Sequence, residues 1–462
     1  MNRSVQMETE KIPKLLLKFS LPAIVGLLVS ALYNIVDSIF VGRGVGDLGL
    51  AAVTVCFPII TTFLAFTMLI GMGATALISI RLGEKNESEA ENIIGNALTL
   101  FLVIGISLTV VGFIFLEPIL IVFGASADIL PYATDYMRII LLGNVLFTIG
   151  TGMNNFIRAE GNPKMAMNTM LIGTVTNIVL DYIFIFIFDW GIKGAAFATI
   201  IAYSVTSTWV LHYFFSGKSM LKVRLENLKL KKLLVKGIVL VGVPTFALQV
   251  TGSIQQLILN RQLASFGGDI ALASVGIIMS VTTFLIMPAM GISQGAQPIV
   301  GYNYGAKKFD RVKDTLKLTI FAATSIITLG FIISKIFPAQ IAGLFNSNPV
   351  LIEQTVYAMN IFFKFIPLVG MQMISASYFQ AVGKPNQATM LGLSRQVFIF
   401  IPVLFVLPHF WGLDGVWWSS PASDIGAFVL KGIWLWVEMR QLNKTNNLAA
   451  QKQPDGKLLK NS

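Results

Sequence analysis

The stretch Ser30-Ala-Leu-Tyr33-Asn34-Ile-Val-Asp37 sets a carboxylate inside an apolar segment long enough to cross a bilayer. An Asp at the centre of an inserted helix costs about 2.5 to 3.5 kcal/mol, so such a residue faces protein or a watery cavity and marks an ion pathway. On a helix, Ser30, Tyr33, Asn34 and Asp37 fall at i, i+3, i+4 and i+7, one polar stripe on an apolar rod.

The rest of the chain provides the setting for that stripe. Of 462 residues 55% are hydrophobic and only 12% charged, and the mean hydropathy is +0.74. That balance predicts an all-α polytopic membrane protein. Apolar runs of about 20 residues suit a ~30 Å hydrocarbon core as helices, and runs this long without alternation exclude barrel strands. Twelve spans are expected, near 15–40, 50–80, 93–116, 132–157, 165–188, 194–215, 236–262, 271–300, 315–337, 353–381, 389–408 and 415–438. Lys11, Lys14 and Lys18 lead into the first span without a small-residue cleavage site, so no cleaved signal peptide is expected.

The net charge of +11 does not point to nucleic acid, because the charges sit in alternating loops. One set holds Arg81, Lys85, Arg158, Lys164, seven basic residues from Lys218 to Lys236, five from Lys307 to Lys317, and Lys384 with Arg395. The opposite set holds only Arg43, Lys193, Arg261 and Lys335. The positive-inside rule then places both termini and the central loop in the cytoplasm of a cell inner (plasma) membrane protein.

The chain also repeats. Pro22 answers to Pro244, Gly73-Ala74 to Gly295-Ala296, Gly83 to Gly305 and Gly161-Asn-Pro163 to Gly383-Lys-Pro385, all 222 residues apart. Trp190-Gly191 and Gly194 answer to Trp411-Gly412 and Gly415 at 221. The expected organisation is a six-helix lobe over 1–215, a basic linker over 216–235, a second six-helix lobe over 236–440 and a polar, disordered cytoplasmic tail over 441–462. Six spans per half give the lobes one orientation, related by an axis along the membrane normal, with a site near the midplane. Pro22 and Pro244 lie where a proline bends a helix; a static kink for packing is the other reading.

At the repeat offset Asn34 maps to Gln256, Asp37 to Leu259 and Asp181 to Pro402 or Val403. Asp181 lies in a second polar stripe with Thr174 and Asn177. Both deep carboxylates are therefore expected in the first lobe and none in the second. Two carboxylates, an Asn and a hydroxyl such as Thr199 suit a proton or a hard cation. Structural hydrogen bonding across helices is the alternative for each Asp.

Ser20-Leu-Pro22, Tyr33-Asn34-Ile-Val-Asp37, Arg158-Ala-Glu-Gly161-Asn-Pro163, Asn177-Ile-Val-Leu-Asp181 and Gly383-Lys-Pro385 together resemble the multidrug and toxic compound extrusion (MATE) family, over roughly residues 12 to 440. The resemblance implies a twelve-helix exporter of organic, often cationic, compounds by H⁺ or Na⁺ antiport, a route to antibiotic resistance. The chain is similar to the DinF-like branch, which implies Asp37, Asn177, Asp181 and Thr199, with Asn34 beside them, as the cation-coupling or Na⁺ site and Pro22 as the bending point. Other branches carry second-lobe acids where this chain has Gln255, Gln256 and the Phe363-Lys364 region. A lipid-linked precursor flippase of the same superfamily is the alternative; Arg138, Lys364 and Lys431 are the basic residues it would use.

An adaptable cleft for amphipathic small molecules draws on flexible Met and on aromatic side chains. Tyr33, Gln249, Ser253, Gln256, Met279, Met287, Met290 and Lys364 are the candidates, with Asn260, Met371, Met373, Tyr203 and Phe284 beside them; ordinary packing is the competing reading for each Met. Cys56, the single cysteine, excludes an intramolecular disulfide and a cysteine metal cluster, and His212 and His409 are too few for a histidine site. Gly44-Val-Gly46-Asp-Leu-Gly49 matches a dinucleotide pattern but lacks its strand–helix context. With no Walker A sequence and no clustered nucleophile, the chain is expected to be neither an ATP-driven pump nor an enzyme, to need no cofactor beyond its coupling ion, and to act as a monomer.

Overall fold

The apolar runs are helices in the computed structural model, which describes residues 3–451 and side chains from 6 to 444. Helix α1 is Ile12–Gly44, α2 Asp47–Gly83, α3 Glu87–Ile114, α4 Leu130–Ala159, α5 Pro163–Tyr182 with a π-type extension Ile183–Ile187, and α6 Gly191–Phe215. The stretch Lys232–Gly305 is broken at Gly268 (φ 60°, ψ −156°) into α7, 232–267, and α8, 269–305. Then follow α9 Phe309–Ile336, α10 in two pieces Pro349–Phe362 and Leu368–Ala381, α11 over Pro385–Leu393, Ser394–Phe400 and Ile401–Trp411, and α12 Leu413–Gln451. Helix starts follow local chemistry: Asn86 caps α3 by accepting from Glu89 N at 3.1 Å, and Asn162 caps α5, with Pro163 in its first turn.

Nine of the described helical stretches are long and apolar enough to span a membrane. Splitting α7 from α8 adds one; the broken α10 and α12, which carries buried charges, make twelve. The repeat reappears in the backbone. Left-handed residues pair at the repeat spacing: Gly46 (φ 88°) with Gly268 (60°), Lys85 (61°) with Lys307 (57°), Gly161 (86°) with Gly383 (73°), and Gly191 with Gly412 (both 55°).

The lobes meet in reciprocal fashion. A Cβ on Gly83 of α2 would strike the Tyr302 carbonyl of α8, and one on Gly305 of α8 would strike the Ile80 carbonyl of α2; Ile80 and Tyr302 are themselves 222 apart. Likewise Gly73 abuts Gly242 of α7 while Gly295 abuts Ser20 of α1. Each contact recurs with the lobes exchanged, as a two-fold axis between α2 and α8 requires. Only glycine allows such backbone approach.

Burial shows where the cleft lies. At the end with the basic loops one core is shared, with Ile70, Ile78 and Phe156 packing beside Ile238, Ile292, Ile299 and Tyr302. At the other end the first lobe has its own core, around Val41, Cys56, Phe63, Tyr136 and Ile192. The second lobe's core draws on Leu259 through Leu442 alone. The lobes are thus sealed together at the basic end.

Three expectations need correction. Residues 441–451 continue α12 as helix rather than forming a disordered tail; 452–462 lie outside the described residues. Arg395 is not in a loop: it sits within α11, paired with Asp424 at 2.6 Å. And the second lobe does hold a deep carboxylate, since Asp424 is 1% exposed. The basic linker is held to α3, where Asn96 Nδ2 donates to Asn227 O (3.1 Å) and Thr99 Oγ1 to Leu228 O (2.8 Å).

Candidate functional site

Helices α1, α5 and α6 bring the predicted first-lobe residues together. Asp181 is fully buried, Asn177 2% and Thr199 4% exposed. With its amide nitrogen turned toward Asp181, Asn177 donates to Asp181 Oδ2 at 2.7 Å, and its oxygen meets Thr199 Oγ1 at 3.3 Å. The Thr199 hydroxyl has a single proton and a second acceptor in reach, Ala195 O at 3.0 Å. Asp181 Oδ1 has no hydrogen-bond donor. The Asp37 carboxyl of α1 is the neighbouring acid of Asp181.

The bond between helices α5 and α6 is thus made through Asn177, while α5 and α1 face each other through two carboxyls. Two neighbouring ionised carboxylates repel one another. A proton between them, or a cation bound to their oxygens with those of Asn177 and Thr199, would turn repulsion into cohesion. Tyr33, Tyr136 and Tyr203 stand around Asp37, and Tyr203 packs against Phe147 with centroids 5.0 Å apart. Tyr136 of α4 carried no sequence signal, since it lies outside both polar stripes. Asn34 is not drawn into the cluster: it is exposed and donates to Ser30 O of its own helix at 2.9 Å.

Pro22 lies inside α1, buried, between Ser20 and Ile24, the two points where Gly295 and Gly291 of α8 touch that helix. Arg158, 8% exposed, bridges the lobes: its guanidinium donates to Gln294 of α8 and, at 2.8 Å, to Asn154 Oδ1. Nearby Glu160 is fully buried and accepts from Tyr213 Oη (3.0 Å), Met220 N (3.2 Å) and Ser219. The sequence showed the Arg158-to-Pro163 motif but not these partners, which come from distant helices.

The proposed cavity residues divide. Gln249 and Ser253 are exposed along α7, and Gln256 is half-buried, donating to Asn260 Oδ1 at 2.8 Å. Met290 is exposed, Met287 half-buried, and Met279, Met371 and Met373 pack on the second-lobe core. Lys364 stands at the break in α10, exposed, its Nζ 4.5 Å over the Trp418 ring. Cys56 is buried in first-lobe packing.

In comparisons with known proteins, the MatE family model matches twice, over residues 22–183 and 244–406, one match per lobe. The multidrug export protein MepA of Staphylococcus haemolyticus (strain JCSC1435) is 30% identical over 412 residues, covering 89% of this chain and 90% of that protein. A solved outward-facing conformation of a multidrug resistance MATE family transporter of the MOP superfamily superposes with a TM-score of 0.90 at 26% identity, over 96% of this chain and 99% of that one. A MOP superfamily transporter from Pyrococcus furiosus, described as having a binding pocket of reverse polarity, gives 0.90 at 26% identity over 95% and 98%. The duplicated family match, falling on the two lobes whose contacts exchange by symmetry, means that the chain belongs to the MatE family of multidrug and toxic compound extrusion transporters.

Proposed function

We propose that this transporter exports organic, often cationic, compounds by antiport, with H⁺ or Na⁺ binding between Asp37 and Asp181. Multidrug efflux is the activity for which its relatives are named, and as a family member the chain is a transporter and not an enzyme. The observation that carries the coupling reading is the fully buried Asp181, with Oδ1 lacking a donor beside the Asp37 carboxyl. An ion arriving there binds α1 to α5. Because α1 also touches α8 at Ser20 and Ile24, a shift of α1 is felt at the lobe seam, and Pro22 is the natural point for that helix to bend. Drug would occupy the cleft beyond the sealed basic end, along Tyr33, Gln249, Ser253, Gln256, Met287 and Met290. The basic face is read as cytoplasmic and the working unit as a monomer.

A flippase for a lipid-linked precursor would gather basic residues in the cleft. Its candidates are scattered instead: Arg138 pairs with Glu117 at 3.5 Å on the exposed surface, Lys364 covers Trp418, and Lys431 is buried inside the second lobe. The deciding experiment is efflux of a fluorescent cation from proteoliposomes under separately imposed H⁺ and Na⁺ gradients. Coupled efflux that is abolished by Asp37→Asn or Asp181→Asn supports the reading. Unaltered gradient-driven efflux in both variants would sink it.

A further inference from the structure

The second lobe carries its own buried charge cluster, and its position in the repeat gives it meaning. Ser420 and Asp424 lie 221 residues after Thr199 and Tyr203, and Arg395 answers to Gly173 or Thr174 at an offset of 222 or 221, all of them residues of the α5–α6 region that forms the first-lobe site. In the second lobe Arg395 Nε donates to Asp424 Oδ1 at 2.6 Å, and Nη2 reaches Ser420 Oγ at 3.5 Å. Gln372 Nε2 donates to the Asp424 carbonyl at 2.9 Å. Lys431 lies one heptad beyond Asp424 on the same face of α12 and is 4% exposed.

We propose that Arg395 and Lys431 are resident cations that fill the second lobe's counterpart of the coupling site and so confine ion coupling to the first lobe. This rests on the coupling reading given above. Asp424 is already paired with Arg395 at 2.6 Å, so the cluster carries no net negative charge before any solute ion arrives; the first-lobe site presents two carboxyls. In an interior of low dielectric that difference in charge decides which site a cation enters. The side chains still have acceptor capacity that a solute cation would use if the residents were gone: Asp424 Oδ2 and Gln372 Oε1 are buried without a donor. Arg395 is therefore a specificity-determining residue: its tethered guanidinium does for Asp424 what a bound ion does for Asp181.

The test is the ratio of coupling ions to drug exported, measured in proteoliposomes from the gradients at which net transport stops. Arg395→Gln with Lys431→Met leaves Asp424 unneutralised, and the ratio is expected to rise by one ion. Adding Asp424→Asn should return it to the wild-type value. A folded, active Arg395→Gln/Lys431→Met protein with the wild-type ratio would overturn the proposal. If that variant does not fold, two others decide. The triple variant, with no charge left in the cluster, and Arg395→Lys, with the cation kept, should both transport at the wild-type ratio. Loss of coupling or a changed ratio in a folded form of either is a refutation. The first-lobe reading fails separately, through intact coupling in Asp37→Asn.

Discussion

Under the proposed alternating access, opening the basic end would draw the N-terminal helix Arg3–Thr9 off the second lobe, and Arg311→Ala measures what holds it there. That short helix precedes α1 of the first lobe but rests on α8 and α9. Arg311 Nη2 donates to Met7 O at 3.1 Å and to Glu10 O at 2.8 Å, and Asn303 Nδ2 also donates to Met7 O at 3.1 Å. Met7 is 1% exposed beneath them. Hydrogen bonds from a charged donor contribute about 1.5–3 kcal/mol each. Arg311 is half-buried, so the lower value applies, and two bonds give about 3 kcal/mol, or roughly a 100-fold change in the closed-to-open ratio. Spin labels at exposed Ser88 and Asn386, one on the basic face of each lobe, report that ratio by double electron–electron resonance. Arg311→Ala should populate a longer distance in detergent and in nanodiscs. An unchanged distribution would show that the N-terminal helix does not restrain the lobes.

The same restraint has a pH signature. The Lys308 ammonium, hydrogen-bonded to Glu8 at 2.8 Å, holds that carboxyl below its usual range. Its contribution is therefore fully present above the ordinary value of about 4.3 and is lost only as pH falls through the depressed value. Hydrogen exchange of the N-terminal helix should be indifferent to protonation of Glu8 at neutral pH, once the intrinsic rate is corrected, and loosening near pH 6 would contradict this. At the seam, Gly83→Leu or Gly305→Leu should prevent closure of the basic end, seen as loss of the short distance between the same labels; a retained short distance would mean the backbones have room. Asp424→Asn alone strands Arg395 and should lower stability by about 3–5 kcal/mol. Thermal unfolding of the detergent-solubilised protein checks this, and a wild-type midpoint would mean that the pair is not buried as described.

How much of this the sequence revealed depends on the range of the interactions involved. Helices and lobes were legible because hydropathy is local and because Gly and Pro recur at one offset, marking backbone positions that both copies need, such as Gly161 and Gly383. The meeting of Asp37, Asn177, Asp181 and Thr199 was legible because acids in apolar runs have few places to go. Arg395 was misread for the same local reason: a lone Arg near a basic loop looks like a topology signal until Asp424, 29 residues later, is seen to neutralise it. Asp424 escaped notice because Ser419, Ser420 and Ser423 make its surroundings look polar, although all three serines are buried. Met279 shows the limit for apolar residues, where a cavity methionine and a core methionine have the same spacing.

Under the proposed coupling through Asp37 and Asp181, the symmetry of the seam bears on how one loaded lobe would be enough. Gly83 on Tyr302 and Gly305 on Ile80 are a single contact made twice about one axis, so rotation that opens one crossing opens its counterpart. An ion shifts such an equilibrium only by its differential affinity for the two arrangements. It does not need to act on both lobes to do so, because α1, which carries Asp37, also lies against α8 at Ser20 and Ile24. The second lobe can then keep its acid permanently neutralised by Arg395 and still move. A second exchangeable site would raise the number of ions needed per cycle without adding a second independent motion, and the seam offers no such motion to drive.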